Sequence, residues 1–278
     1  MILLNFRLFS AIMNKQILMN KTHFNLIREL AFTDFKLKYQ GSVLGYLWSL
    51  VKPLMLFLVL YVVFTRVFRL GDSIPHYPVY LLLGVVVWGF FTEMTAVSLG
   101  AIVGKGDLIR KVYFPRIVLV ISGGITSLIT FLLNLIIVFL FIIFTHAEFS
   151  LKAPLFILLI IELFVLAIGV SLILSSLFVR FRDLSHIWEI ILQAMFYATP
   201  ILYPLSLVPS PFNKIIMLNP AAQIIQDMRY LLVTQQTETG WMIMRPMFYI
   251  IPYILPFVIL IFGYFLFEKS AAKFAEEV

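Results

Sequence analysis

From Ile117 to Thr145 the chain carries no charged residue, and a second uncharged stretch runs from Tyr77 to Thr92. In a bilayer every backbone N–H and C=O must find its partner inside the protein, so apolar stretches of this length are read as membrane-spanning helices. Between them lies Lys105-Gly-Asp-Leu-Ile-Arg-Lys-Val-Tyr-Phe-Pro-Arg116, with four basic residues against the single Asp107. Lipid excludes such an island, so it forms an aqueous loop. Its excess of Lys and Arg places that loop on the cytoplasmic side, which orients the whole chain.

The balance of residues agrees. With 62% hydrophobic residues, 13% charged residues and a mean hydropathy of +1.02, the 278-residue chain has too little polar surface to cover a soluble globule. A net charge of +7 raises the question of nucleic acid. The basic residues sit in short clusters between apolar runs instead of along one stripe, so they read as topology signals and contacts to membrane lipids, with no nucleic-acid partner. The absence of cysteine excludes disulfides and thiolate metal sites. The start lacks a basic segment ahead of a long apolar one and an Ala-x-Ala site, so no signal peptide is expected, and residues 1–19 read as an N-terminal extension.

The remainder, 20–278, reads as one all-α transmembrane domain. Residues 20–40 predict an amphipathic helix lying in the interface, with Thr22, Asn25, Glu29, Thr33 and Lys36 on one face and Phe24, Ile27, Ala31 and Phe35 on the other. Spans are expected over about 41–64, 80–99, 117–144, 154–179 and 247–267, with a polar tail at 268–278. Another apolar stretch, Ile190 to Asn213, holds Pro200, Pro204, Pro209 and Pro211. Four prolines within a dozen residues break a helix, so this fifth span is expected to stop near Pro200 and continue as short re-entrant pieces, with 200–234 forming an outer cap. Of the 21 Lys and Arg, fourteen fall on the side read as inside and six outside, with Lys52 within the first span. Six spans with both termini in the cytoplasm follow.

Chemistry-bearing residues are scattered. His23, His76, His146 and His186 are isolated, and there is no phosphate-binding glycine loop, nucleophile elbow or His-Glu-x-x-His. Catalysis is not expected. Glu93, Glu162 and Glu189 fall in or near different spans, and an acid in a membrane segment is a candidate functional residue. Tyr46 and Trp48 near one span end, and Tyr197 and Tyr203 around the Pro200 and Pro204 break, suit either interfacial anchoring or a wet path on which sugar rings stack.

Several segments together resemble a known family: Arg28-Glu-Leu-Ala-Phe-Thr-Asp-Phe-Lys-Leu-Lys-Tyr39, Ser42-Val-Leu-Gly-Tyr-Leu-Trp-Ser-Leu-Val-Lys-Pro53, Lys111-Val-Tyr-Phe-Pro-Arg116, Phe181-Arg-Asp183, Thr199-Pro-Ile-Leu-Tyr-Pro204 and Leu218-Asn-Pro220. In this order they resemble the membrane subunit of polysaccharide ABC exporters, the O-antigen, capsule and teichoic-acid permeases of the type-2 ABC transporter class. The resemblance runs from about residue 20 to the C-terminus and departs at Lys52, where a neutral residue is expected. It implies a homodimer in the bacterial cytoplasmic membrane, joined by two cytosolic ATPase subunits that bind the ATP and Mg this chain cannot. It implies that Arg28, Glu29 and Lys36 of the interface helix, and Asp107, Arg110 and Lys111 of a short coupling helix capped by Asp107, meet the ATPase. Arg180, Arg182 and Asp183 belong to the second cytoplasmic loop. Tyr46, Trp48, Lys52, Glu93, Glu162, Tyr197, Pro200, Tyr203 and Pro204 are expected at the channel or its gate, and a glycan linked to an undecaprenyl-type lipid diphosphate is the expected cargo. The alternative reading is an ion-coupled secondary transporter or lipid flippase using Glu162. A third, a membrane glycosyl- or acyltransferase, lacks the convergent acid or His cluster it needs.

Overall fold

A computed structural model describes residues 24–38, 40–72, 74–112, 114–147, 150–271 and 274. The 1–19 extension, Thr22 and most of the tail beyond Ala271 lie outside these residues. Every regular element among the described residues is helical: α1 (24–38), α2 (Trp48–Val62), α3 (Tyr77–Leu99), α4 (Gly106–Lys111), α5 (Ile117–Phe144), α6 (Phe156–Arg180), α7 (Leu184–Ala198), α8 (Phe212–Ile216), α9 (Pro220–Leu232), α10 (Gly240–Ile243), α11 (Pro246–Tyr249) and α12 (Ile251–Ala271).

Among the described residues, five stretches are long and apolar enough to cross a membrane: Gly45–Val67, Tyr77–Leu99, Ile117–Phe144, Ala153–Arg180 and Pro246–Ala271. They match five of the expected spans to within four residues at each end. The remaining one, expected over 190–213, is represented by α7. Its fifteen residues make a rod of about 22 Å, short of the roughly 30 Å hydrocarbon core. It stops at Ala198, just ahead of Pro200, and Thr199 and Pro204 are extended.

α3 is the central strut, in contact with α2, α5, α6, α7 and α9 and buried on nearly every side. α5 meets it with a face of small and hydroxyl residues, among them Ser122, Gly123, Thr126, Ser127 and Thr130. Close approach of helices in lipid relies on such residues. Their hydroxyls are largely satisfied within the helix: Thr126 Oγ1 donates to the Ser122 carbonyl at 3.1 Å and Thr130 Oγ1 to the Thr126 carbonyl at 3.3 Å. The tightest contact joins α6 to α12, where Gly169 and Gly263 face each other. A Cβ on Gly169 would lie 2.7–2.9 Å from the backbone of Ile259 and Leu260, and one on Gly263 would strike the Gly169 carbonyl.

α1 lies across the bundle at the end that also holds α4 and the end of α12. Leu26, Ile27 and Leu30 join the apolar cluster formed by Ile109, Val118, Leu119, Phe267 and Phe274, and Ala31 is buried with its carbonyl accepting from Thr126 Oγ1 at 3.1 Å. Of the four apolar residues expected on one face, Phe24 alone stays exposed. Asp34 turns inward and pairs with Lys105 at 2.6 Å, which ties α1 to the 105–116 island. Gly41 and Gly45, both at positive φ (77° and 49°), turn the chain from α1 into the first span, a conformation glycine adopts without strain.

The α6–α12 contact gives a direct test. Gly169→Val should destabilise the protein by about 1–3 kcal/mol or more, read as a lower melting temperature in detergent. Gly89→Ala, whose added methyl meets nothing within 4 Å, should leave it unchanged. An unaltered melting temperature for Gly169→Val would show that the two helices are not held at this distance.

Candidate functional site

α2 and α7 flank α3, and with α5 they enclose a cleft of about 1320 Å³. Trp48 and Lys52 come from α2, Trp88 and Glu93 from α3, Thr130 and Asn134 from α5, and Trp188, Glu189, Gln193 and Tyr197 from α7. The lining residues of α7 run from Ser185 to Tyr197, which corresponds to about 18 Å along the helix axis. The charged groups gather at the α4 end, where Lys38 of α1 reaches Glu93 at 2.6 Å. Toward the other end the wall is aromatic, with Phe196 set edge-on to Tyr197. Trp188 is fixed through Nε1–H, which donates to Thr95 Oγ1 at 3.1 Å.

Of the nine residues expected at the channel or gate, Trp48, Lys52, Glu93 and Tyr197 line this cleft together. The other five do not. Tyr46 stacks flat on Phe35 at 4.9 Å and joins α1 to the start of α2. Pro200, Tyr203 and Pro204 form the break after α7, with the Tyr203 hydroxyl donating to the Tyr197 carbonyl at 3.0 Å, and Glu162 lies elsewhere. Asn134 was not expected at the cleft, although a lone amide in a long uncharged run is the signal to follow. Pro53 sits inside α2 and cannot donate to the Ser49 carbonyl one turn back. Asn134 Nδ2 takes that carbonyl at 3.1 Å and the Thr130 carbonyl at 2.9 Å, so the proline next to Lys52 costs no unpaired acceptor in the apolar interior.

At the α4 end the expected coupling residues share one exposed surface. Asp107, Arg110 and Lys111 project outward from α4 while Ile109 anchors its inner side, and Arg28, Glu29 and Lys36 are exposed on α1. Arg28 and Glu29 are within 3.1 Å of each other. Asp107 does not cap α4, contrary to expectation. Lys105 holds the cap position and Asp107 sits in the first turn, because the helix begins at Gly106, one residue before it. Arg180, Arg182 and Asp183 make the tight turn from α6 to α7, where Arg182 lies 5.4 Å from the centre of the Phe178 ring and Asp183 precedes α7 without a side-chain cap.

The opposite end holds a buried polar hub that the sequence reading missed. α9 begins with a capped turn: Asn219 Oδ1 accepts from Ala221 N–H at 3.0 Å, and Pro220 occupies the first helical position, where no N–H is needed. The helix then runs inward among α3, α6 and α12 and is buried almost throughout. It is a buried wedge at the end of the bundle where an outer cap over 200–234 is expected. Arg229 is fully buried, donating through Nη1 to the Pro200 carbonyl at 2.5 Å, through Nη2 to the Ile201 carbonyl at 2.6 Å and through Nε to the Tyr80 carbonyl at 3.0 Å. Its guanidinium lies 3.5 Å from the centre of the Tyr80 ring, and Gly84 leaves room for it, since a Cβ there would come within 2.5 Å of Nη2. Tyr77 O–H donates to the Leu202 carbonyl at 3.0 Å. Asp227 accepts from Gln223 at 2.8 Å and from Tyr253 at 2.5 Å, and burial raises its carboxyl above the usual range against those two hydrogen bonds. Glu162 belongs here beside Asp227 and Gln223, away from the cleft.

Arg229 supplies donors to carbonyls that the break after α7 leaves without helical partners. Arg229→Met should therefore cost about 2–5 kcal/mol, since each stranded buried acceptor costs about 1–3 kcal/mol. The loss should appear as a lower melting temperature together with faster proteolysis within 200–234. Arg229→Lys, with one ammonium in place of a three-way fork, should fall between the two. A wild-type melting temperature for Arg229→Met would remove the hub from the account of stability.

The sequence model of the ABC-2 type transporter family matches residues 25–233, a region that covers α1, the cleft, the α4 surface and the hub. A Klebsiella pneumoniae protein named O-antigen export system permease protein RfbA is 32% identical over 255 residues, 91% of this chain and 95% of that protein. A Myxococcus xanthus protein of the same name is 32% identical over 202 residues, 72% of this chain and 77% of the relative. The Escherichia coli polysialic acid transport protein KpsM is 22% identical over 201 residues, 72% and 78% of the two chains. The chain therefore belongs to the ABC-2 type transporter family of membrane proteins.

Proposed function

We propose that the chain is the permease subunit of an ATP-driven exporter that moves a lipid-linked polysaccharide of the O-antigen class across the bacterial cytoplasmic membrane. The observation that carries this reading is the cleft itself. It is large, charged at one end and aromatic toward the other, which suits a path for an anionic lipid bearing a neutral or weakly polar glycan. Similarity over 91% of this chain to a protein named as an O-antigen export permease supports the cargo class. Aromatic faces suit a moving polymer because stacking needs no fixed hydrogen-bond register.

In this reading the α4 end faces the cytoplasm, as the Lys and Arg distribution requires, and both ends of the chain lie on that side. Six crossings are counted by letting α7 and the turn after it make the fifth. A second copy faces the open side of the cleft and completes the channel, and α9 closes it at the outer end. The exposed surface of α1 and α4 receives the motion of two cytosolic ATPase subunits, which supply ATP and Mg. The ion-coupled alternative has no support: Glu162 is held in the hub with Asp227 and does not reach the cleft.

Two measurements test this. In intact cells a membrane-impermeant thiol reagent should label Lys214→Cys and spare Asp107→Cys; labelling at 107 would reverse the orientation. In cells producing the glycan, Arg110→Glu with Lys111→Glu should leave the permease inserted yet abolish surface glycan, raise the lipid-linked pool inside and make ATP hydrolysis independent of cargo. Normal surface glycan in that double variant would remove α4 as the coupling element.

A further inference from the structure

The cleft contains two basic side chains in different circumstances. Lys38 is neutralised by Glu93 at 2.6 Å. Lys52, one turn inside α2, has no hydrogen bond and no ion pair among the described residues, and its side chain is exposed to the cleft. Its neighbours are already committed, since both recorded donations of Asn134 Nδ2 go to backbone carbonyls. An ammonium group on an apolar helix is costly without an anion or water beside it, and this one stands with Lys38 and Glu93 at the charged end of the cleft. The single unpaired carboxylate on the facing wall, Glu189 of α7, lies one turn before Gln193 and next to Trp188. A carboxylate, an amide and ring faces suit sugar hydroxyls and C–H faces, and the Glu189 carboxylate disfavours a phosphate beside it.

We propose that Lys52 is the phosphate-holding residue of the cleft, taking the phosphate or diphosphate ester of a polyprenyl-type lipid on the α2 wall while the attached sugars lie along the α7 wall. The assignment rests on the export reading above and adds to it which group holds the anion and which way the cargo faces. A long flexible ammonium suits this use. It attracts a phosphate as a point charge without the two-pronged geometry of arginine, so the headgroup is bound and still released. Glu189 gives the site its direction by making the opposite wall unfavourable for the same anion.

The test uses the permease with its ATPase partner in phosphatidylcholine nanodiscs, with farnesyl diphosphate as the probe and tryptophan fluorescence as the readout. Lys52→Gln should weaken binding at least tenfold, Lys52→Arg should stay within about threefold of wild type, and Glu189→Gln should not weaken it. Unchanged affinity in Lys52→Gln overturns the proposal even where surface export by the wild type stands. Displacement of the probe by phosphatidylglycerol at equal potency assigns the site to bulk membrane phospholipid and overturns the cargo assignment. Normal surface glycan in Arg110→Glu with Lys111→Glu, alongside intact Lys52-dependent binding, would count against the α4 coupling of the export reading and not against this site.

Discussion

A backbone carbonyl stranded in hydrocarbon is the constraint on which this structure turns. Wherever a helix is interrupted, a partner must come from another element. Pro53 interrupts the hydrogen bonding of α2, and Asn134 of α5 meets the freed Ser49 carbonyl. α7 ends ahead of Pro200, and Arg229 of α9 meets the carbonyls of Pro200 and Ile201. In both places the donor is buried and supplied by another element of the fold. The two breaks sit at opposite ends of the cleft, so the side chains that repair them also fix the positions of its walls.

That arrangement explains what could be read from the residues and what could not. Charge-free runs between basic clusters locate five spans, because length and hydropathy are local properties. Prolines announce the end of α7 for the same reason. The direction in which α9 faces is not local. Gln223, Gln226, Asp227 and Arg229 recur at steps of three and four, the pattern of a wetted helix face, but their partners are a broken backbone, two tyrosines and each other. Sequence spacing reports that these side chains need polar company and leaves open whether water supplies it.

The same distinction separates the aromatic residues. Tyr197 and Tyr203 look equivalent around the break, yet Tyr197 is largely exposed on the cleft wall while Tyr203 spends its hydroxyl on the Tyr197 carbonyl and packs against the core. Trp48 and Tyr46 stand two residues apart and diverge likewise, one onto the cleft and one onto Phe35. For Glu93 the deciding fact is Lys38, fifty-five residues away in sequence and brought close by the turn through Gly41 and Gly45. Glu162, which has no ion pair among the described residues, lies in the hub beside Asp227 and Gln223.

α3 links the two ends. It presents Trp88 and Glu93 to the cleft and offers Tyr80 to the hub through both its ring and its carbonyl. A continuous helix over these positions transmits axial displacement with little loss, since its own hydrogen bonds resist stretching. Arg229 holds α3 and the segment after α7 in one guanidinium fork, in space that a Cβ at Gly84 would take. A shift of α3 by a helical turn, about 5.4 Å, would therefore separate the Tyr80 carbonyl from Arg229 and strand at least one buried polar group. The same helix thus carries Glu93, tied through Lys38 to α1, and Tyr80, whose carbonyl is tied through Arg229 to the broken segment after α7.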